Sequence, residues 1–445
     1  MKIALIAMSG LRAFNPELTR LGMTVPGFVE RSKVIASLPS LSLLTLAGLT
    51  PERFEVSYHE VADIRRLGSL PQCDLAAIST YTAQAKEAYE LAGRYREAGV
   101  PTVIGGLHAT LLPEEALRYV DCVVAGEGEV AWPRVLADFE KGRLRRFYDA
   151  RGEEFDLAQA PMPRFDLLEP ERYNRLTVQT QRGCPWRCEF CAASIRLTSR
   201  YKVKPVAKLI AEVREIKKIW PRPYIEFADD NTFVNKSHSK ALLRALAAED
   251  VKWFTETDLS VAEDEELLDL MRESGCAQVL IGFESPTAVA LEGLEQRSNW
   301  KRRKLPFYEE AIRRVQSHGI AVDGCFVLGL DGDTLATFDA VEEFVYDSGL
   351  QQVQITVMTA FPGTPLYQRL EAEGRLLEPG AWEKTTLFDV NIRPKQMSAA
   401  ELERGFLELG LRLYSAEAKN RRTANFRAHV REGRCREDAR VLEYA

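Results

Sequence analysis

The sequence predicts an α/β protein: a doubly wound, Rossmann-like parallel sheet, then a partial (β/α)6 barrel, then a helical C-terminal region. Three observations carry this reading. Short apolar runs alternate with amphipathic stretches up to about residue 145, and again from about 176 to 367. Alternation of that kind marks parallel sheets, whose crossovers are helices. Between the two regions, Ala150 to about Arg175 loses the alternation and carries Pro161, Pro163 and Pro170 among acids, as an extended linker would. At 445 residues the chain also exceeds one ordinary core. The expected division is 1–145 for the first sheet, 146–175 for the linker, 176–370 for the barrel and 371–445 for the helical region.

In the first region, strands are expected at Ile3–Met8, Phe54–His59, Leu75–Ser79, Val100–Ile104 and Cys122–Ala125, with a helix over Ala83–Ala98. Doubly wound sheets bind ligands at the carboxyl ends of their strands. Three such ends are small or polar: Ser79-Thr80-Tyr81, Gly105-Gly106-Leu107-His108 and Gly126-Glu127-Gly128-Glu129. Their glycines either let a ligand approach the backbone or simply make tight turns. In the second region, strands are expected at Leu176–Gln179, Tyr224–Ala228, Lys252–Thr257, Gln278–Phe283, Ala321–Leu328 and Gln352–Val357. Amphipathic helices such as Val206–Lys217, Asp264–Ser274 and Phe307–His318 lie between them. Six strands in this order suit a barrel open relative to the eight-fold form, with its chemistry at the strands' carboxyl ends. Ser398-Ala399-Ala400-Glu401 is a capping box opening a helix through Tyr414.

Hydrophobic residues at 46% and charged residues at 28% give a globular balance. A net charge of −6 does not indicate nucleic-acid binding by global charge. The longest uncharged stretch, Val34 to Pro51, is too short and too interrupted to span a membrane. The chain opens on the strand-like Lys2-Ile3-Ala4-Leu5-Ile6, so no targeting segment is visible and a reducing, cytoplasmic setting is expected.

The chemistry centres on Cys184-Pro185-Trp186-Arg187-Cys188-Glu189-Phe190-Cys191, just after the first barrel strand. Thiolates are the preferred ligands of iron–sulfur clusters. Three ligands on a [4Fe–4S] cluster leave one iron open, as a catalytic centre requires. A structural zinc site would want a fourth Cys or His nearby, but His238, Cys276 and Cys325 each stand alone in the sequence. Sparse cysteines argue against disulfides. Cys73, Cys122, Cys276 and Cys325 lie in or beside apolar strands and read as packing residues. Lys301-Arg302-Arg303-Lys304 reads as a solvated face, an anionic-substrate contact being the alternative.

The C-x3-C-x2-C spacing, with Phe190 before the third cysteine, resembles the signature of radical S-adenosylmethionine (SAM) enzymes. The resemblance implies that Cys184, Cys188 and Cys191 hold a [4Fe–4S] cluster whose open iron is chelated by SAM. An external electron donor of the flavodoxin or ferredoxin type would reduce the cluster. SAM would then be cleaved to a 5′-deoxyadenosyl radical. It implies SAM contacts at Phe190, at Glu226 and Asp230 beyond the second strand, and at Glu284 and Ser285 ending the fourth. Asp229-Asp230-Asn231 could instead cap the next helix. Many relatives have an arginine near Thr255-Glu256-Thr257-Asp258, and none stands here. Val327-Leu328-Gly329-Leu330-Asp331-Gly332 and Phe361-Pro362-Gly363-Thr364-Pro365-Leu366 also resemble the family.

The first region resembles the cobalamin-binding domain fused to many radical SAM proteins. The candidate contacts are Ser79, Thr80, Gly105, Gly106, His108, Gly126 and Glu127. The motif D-x-H-x-x-G, whose histidine binds cobalt, is absent, so cobalamin is expected base-off without a histidine ligand. An empty domain is the alternative. The function implied is a cobalamin-dependent radical SAM methylase acting on an unactivated carbon of a small-molecule or lipid substrate. A non-methylating radical cyclase, rearrangement or oxidation enzyme is a second reading, and a non-catalytic iron–sulfur or cobalamin carrier a third.

Overall fold

The computed structural model describes residues 1–445 except 12, 14–17, 19–27, 32–33, 192–200 and 444–445. The first region holds β1 (Lys2–Met8), β2 (Gly10–Leu11), β3 (Phe28–Arg31), β4 (Val34–Ser37), β5 (Glu55–Val61), β6 (Leu75–Ser79), β7 (Thr102–Gly105), β8 (Cys122–Gly126) and β9 (Phe147–Ala150). A parallel six-stranded sheet runs in the order β5-β1-β6-β7-β8-β9. β1 shows why the run reads so clearly. Ile3, Leu5 and Ala7 enter one core with Leu43 and Trp132, while Ala4, Ile6 and Met8 enter another with Leu91 and Tyr95. A strand covered by helices on both faces must be apolar at every position. Strand order reverses beside β1, so a crevice opens at the carboxyl ends of β1 and β6.

Three features differ from the sequence reading. β9 continues the sheet parallel to β8, where the chain reads as the start of the linker. β2, β4 and β3 form a small antiparallel sheet that no pattern announced. The linker is not free: it makes short turns at Leu157–Gln159, Phe165–Leu167 and Pro170–Arg172, and Phe165 and Leu168 are buried in the barrel core.

The barrel strands are β10 (Leu176–Val178), β13 (Tyr224–Phe227), β14 (Lys252–Thr257), β15 (Cys276–Glu284), β16 (Ala321–Leu328) and β17 (Gln352–Val357). They pair in parallel and in chain order, with β10 and β17 as the two edges, which makes the barrel partial. A two-residue ladder of β11 (Gln181–Arg182) and β12 (Lys202–Val203) closes the base of the cysteine loop. Two helices end the fold, Ala399–Leu413 and Ala416–Glu443. The first opens on the expected capping box, Ser398 Oγ accepting from Glu401 N–H at 3.2 Å and Ser398 N–H donating to Glu401 at 2.8 Å. Leu402, Phe406, Leu409 and Leu413 bury its inner face against the barrel. No helix among the described residues is long and apolar enough to cross a membrane.

Candidate active site between the two sheets

The carboxyl ends of both sheets face one cavity of about 710 Å³. Ala7, Met8, Ser79, Thr80, Gly105, Gly106, Gly126 and Glu127 line it from the first sheet. Arg182, Gly183, Cys184, Trp186, Ala228 and Asp230 line it from the barrel. Two loop clusters that read as separate binding edges in the sequence therefore share one space.

The cysteine loop is held from three sides. Gly183 N–H donates to Asp230 Oδ2 at 3.0 Å, beyond the end of β13. Glu189 N–H donates to the Leu294 carbonyl at 3.1 Å, and Gln296 N–H to the Arg187 carbonyl at 3.0 Å. Arg369 grips the Glu189 carboxylate through two nitrogens, at 2.6 and 3.1 Å. Trp186 stacks on Trp300 with centroids 4.9 Å apart and donates its indole N–H to Asp258 at 2.8 Å. Burial pushes the Cys184 thiol up to about 11 and the Cys188 thiol up to about 12. Cys184 lines the cavity, while Cys188 and Cys191 do not. Among the described residues, no three His, Cys, Asp or Glu side chains are gathered as a metal site.

The acids below the loop have separate duties. Asp229 is buried and accepts from Thr180 N–H at 2.7 Å, Thr180 Oγ1 at 2.5 Å, Gln181 N–H at 3.1 Å and Thr232 Oγ1 at 3.0 Å. It ties the exits of β10 and β13 together. Asp230 is the acid of this group that reaches the cavity, where it stays exposed. Glu226 is buried in an ion pair with Arg175 and does not line the cavity. Glu284 sits at φ +64° and pairs with Lys301, whose ammonium also donates to the Gly282 carbonyl at 2.8 Å. Ser285 is fully buried and turns its hydroxyl to Thr287. Phe190 packs against the barrel core. None of Phe190, Glu284 and Ser285 lines the cavity.

On the first sheet, Ser79, Thr80, Gly105, Gly106 and Gly126 line the cavity. Gly126 is needed for another reason than ligand approach: at φ +97°, an added Cβ would stand 2.5 Å from the Ala150 carbonyl carbon. His108 corrects the sequence reading. The short helix Leu107–Leu111 turns it away from the cavity, fully buried, with Nε2 3.1 Å from the Tyr89 hydroxyl and 3.3 Å from Glu115. Glu115 in turn accepts from the Trp382 indole at 3.0 Å. None of the chain's five histidines is among the residues lining the cavity. Glu127 lines the cavity, yet its carboxylate is taken by Arg182 at 2.6 Å, Lys202 at 2.9 Å and Phe155 N–H at 2.6 Å.

The sequence reading missed Arg182 and Lys301. Arg182 directly precedes Gly183-Cys184, and its burial between two glutamates has no local signal. Lys301 belongs to the basic run read as a solvated face, but its side chain is only 12% exposed and faces Glu284, while Arg302 and Arg303 face outward.

Comparison with known families decides what this arrangement is. Residues 178–345 match the radical SAM superfamily, residues 32–136 match the B12 binding domain, and residues 364–442 match a domain of unknown function, DUF4070. The chain holds a radical SAM domain and a B12-binding domain. It is 27% identical over 392 residues to the bacteriochlorophyllide d C-12(1)-methyltransferase of Chlorobaculum tepidum, covering 86% of this chain and 84% of the relative. It is 26% identical over 370 residues to the hopanoid C-2 methylase of Rhodopseudomonas palustris, covering 80% of this chain and 68% of the relative. The fold is similar to that of the radical SAM methyltransferase TsrM from Kitasatospora setae, with a TM-score of 0.64 at 18% identity over 91% of this chain and 83% of the other.

A protein with these domains is a radical SAM enzyme whose cofactors are a [4Fe–4S] cluster, SAM and cobalamin. The residues present fit them. Three thiols on one loop are a donor set for iron, and metal ligands are commonly gathered only as the metal binds. The Gly105 backbone faces the cavity, and an added Cβ there would meet nothing nearer than 3.8 Å.

Proposed function

We propose that the protein is a cobalamin-dependent radical SAM methylase that transfers a methyl group to an unactivated carbon of a small-molecule or lipid substrate. The observation that carries this reading is the single cavity joining the carboxyl ends of the B12-binding sheet to the cysteine loop of the radical SAM barrel. The methyltransferase relatives support methyl transfer as its outcome. When bound, the cluster and SAM supply the 5′-deoxyadenosyl radical and cobalamin carries the methyl group.

The chain's own residues bind, orient and shield. Cys184, Cys188 and Cys191 would hold the cluster. Asp230 would meet the SAM ammonium, as a carboxylate acceptor suits it. Phe190, Glu226, Glu284 and Ser285 would support that site from around the cysteine loop and barrel. Ser79, Thr80, Gly105 and Gly106 would lie along cobalamin, with no histidine on cobalt. Trp186, stacked on Trp300, walls the barrel side against water. We further propose functional units at 1–145 extended by β9 to Ala150, at 176–370 and at 371–445, a cytoplasmic setting and a flavodoxin- or ferredoxin-type electron donor.

The test is an anaerobic incubation of the cofactor-loaded enzyme with methyl-13C-labelled SAM, a strong reductant, and lipid and polar metabolite extracts. We expect 5′-deoxyadenosine together with a labelled methylated product. 5′-Deoxyadenosine formed with no labelled product from either extract would contradict methylation and favour the non-methylating reading.

A further inference from the structure

Both stems of the cysteine loop end on the same glutamate of the other domain. Arg182 lies on β11, immediately before Gly183-Cys184, and Lys202 lies on β12, where the loop returns. Arg182 Nη1 donates to Glu127 Oε1 at 2.6 Å, and its Nη2 donates to Glu129 Oε1 at 2.7 Å. Lys202 Nζ donates to Glu127 Oε2 at 2.9 Å and to the Phe155 carbonyl at 3.1 Å. Gln179 Oε1 accepts from Arg182 Nη2 at 2.9 Å, so the guanidinium is fixed from its own strand's side as well. Glu127 and Glu129 flank Gly128 where the helix Gly128–Glu140 starts directly after β8, and all three line the cavity.

These groups are not surface pairs. The Glu127 side chain is 1% exposed, Glu129 10%, Lys202 12% and Arg182 20%. Burial opposes the Arg182 charge, but Glu129 and Glu127 outweigh it and raise the guanidinium. Burial likewise opposes the Glu129 charge, and Arg182 holds its carboxyl below the usual range. A planar guanidinium gripping two carboxylates fixes orientation as well as distance. Exposed pairs are labile, whereas buried hydrogen-bonded ones leave a costly unpaired charge when one partner is removed.

We propose that Arg182 and Lys202, clamped on Glu127 and Glu129, are positioning residues that fix the cluster loop in distance and orientation against the cobalamin loop. This rests on the cobalamin-dependent reading above. Radical and methyl-transfer steps need their partners held in one geometry, and small misplacements are costly. The clamp supplies that geometry from the protein side, so neither glutamate serves as a cofactor ligand.

Two measurements on full-length protein test the clamp. The first is pulsed electron paramagnetic resonance of protein loaded with reduced cluster and cob(II)alamin, which reads the dipolar interaction between the two spins. Wild type should show a discrete interaction. Glu127→Gln and Arg182→Lys should keep both cofactors at wild-type stoichiometry while losing the discrete interaction to a broad distribution. The second is amide hydrogen exchange of metal-free protein, where the segment Gly183–Cys191 should exchange at least about tenfold faster in both variants, with β1 unchanged. A discrete wild-type interaction or wild-type exchange in either variant overturns the proposal. If wild type itself takes up no cobalamin, the cobalamin reading fails instead, and the exchange experiment still decides whether the clamp holds the loop.

Discussion

Glu256 is the last residue but one of β14, where burial, then Glu226 and Asp230, push its carboxyl up to about 8. Its ordinary value is 4.5, so between about pH 4.5 and 8 the folded chain keeps a proton that the unfolded chain has released. Stability must therefore fall as pH rises through that window, with the full penalty above it. Glu256→Gln removes the penalty. Urea unfolding of metal-free protein should show the variant more stable than wild type near pH 8.5, by up to about 5 kcal/mol, and nearly equal to it near pH 4.5. An equal difference at both pH values would contradict the assignment. At this scale the sequence was partly legible. Asp230, Cys184 and the glycines of the first sheet could be picked out by type and place. Partners could not, because Glu226 finds Arg175 51 residues away and Arg182 finds Glu127 55 residues away. Only folding brings such pairs together, so Glu127 read as a ligand contact and Lys301 as solvated.

The elements were easier to read than their partners. β1, buried on both faces, is apolar at nearly every position, while β14, β16 and β17 stand where the pattern put them although Lys252, Asp323 and Gln354 interrupt their apolar runs. β9 was missed because Phe147-Tyr148-Asp149-Ala150 is short, lies at the sheet edge and exposes Asp149. The β8–β9 pair yields a prediction at this scale. Gly126 joins Ala150 in register, at φ +97° and with backbone where a Cβ would go. Gly126→Ala combines left-handed strain with that clash and should cost about 2–3 kcal/mol, read as a lower midpoint in thermal or urea unfolding. A midpoint within error of wild type would show that β9 is not packed as described.

For the whole molecule, the order of domains was legible and their contact was not. Composition and periodicity are local, whereas the cavity is built from β1, β6, β7 and β8 on one side and the cysteine loop on the other. The C-terminal region also crosses back, with the Trp382 indole hydrogen-bonded to Glu115 and the Glu383 carboxylate 2.6 Å from Lys86. Such ties make the interface part of the fold and hold the cavity's two walls to each other.

The central claim is that the loop Cys184–Cys191 carries a cluster that cleaves SAM at this interface. The most direct measurement is 5′-deoxyadenosine formation with iron content, after anaerobic reconstitution and chemical reduction, in wild type and in the triple variant Cys184→Ala, Cys188→Ala and Cys191→Ala. The account predicts about four irons per chain and steady 5′-deoxyadenosine release in wild type, and neither in the variant. Retention of that iron, or of SAM cleavage, by the triple variant would contradict it.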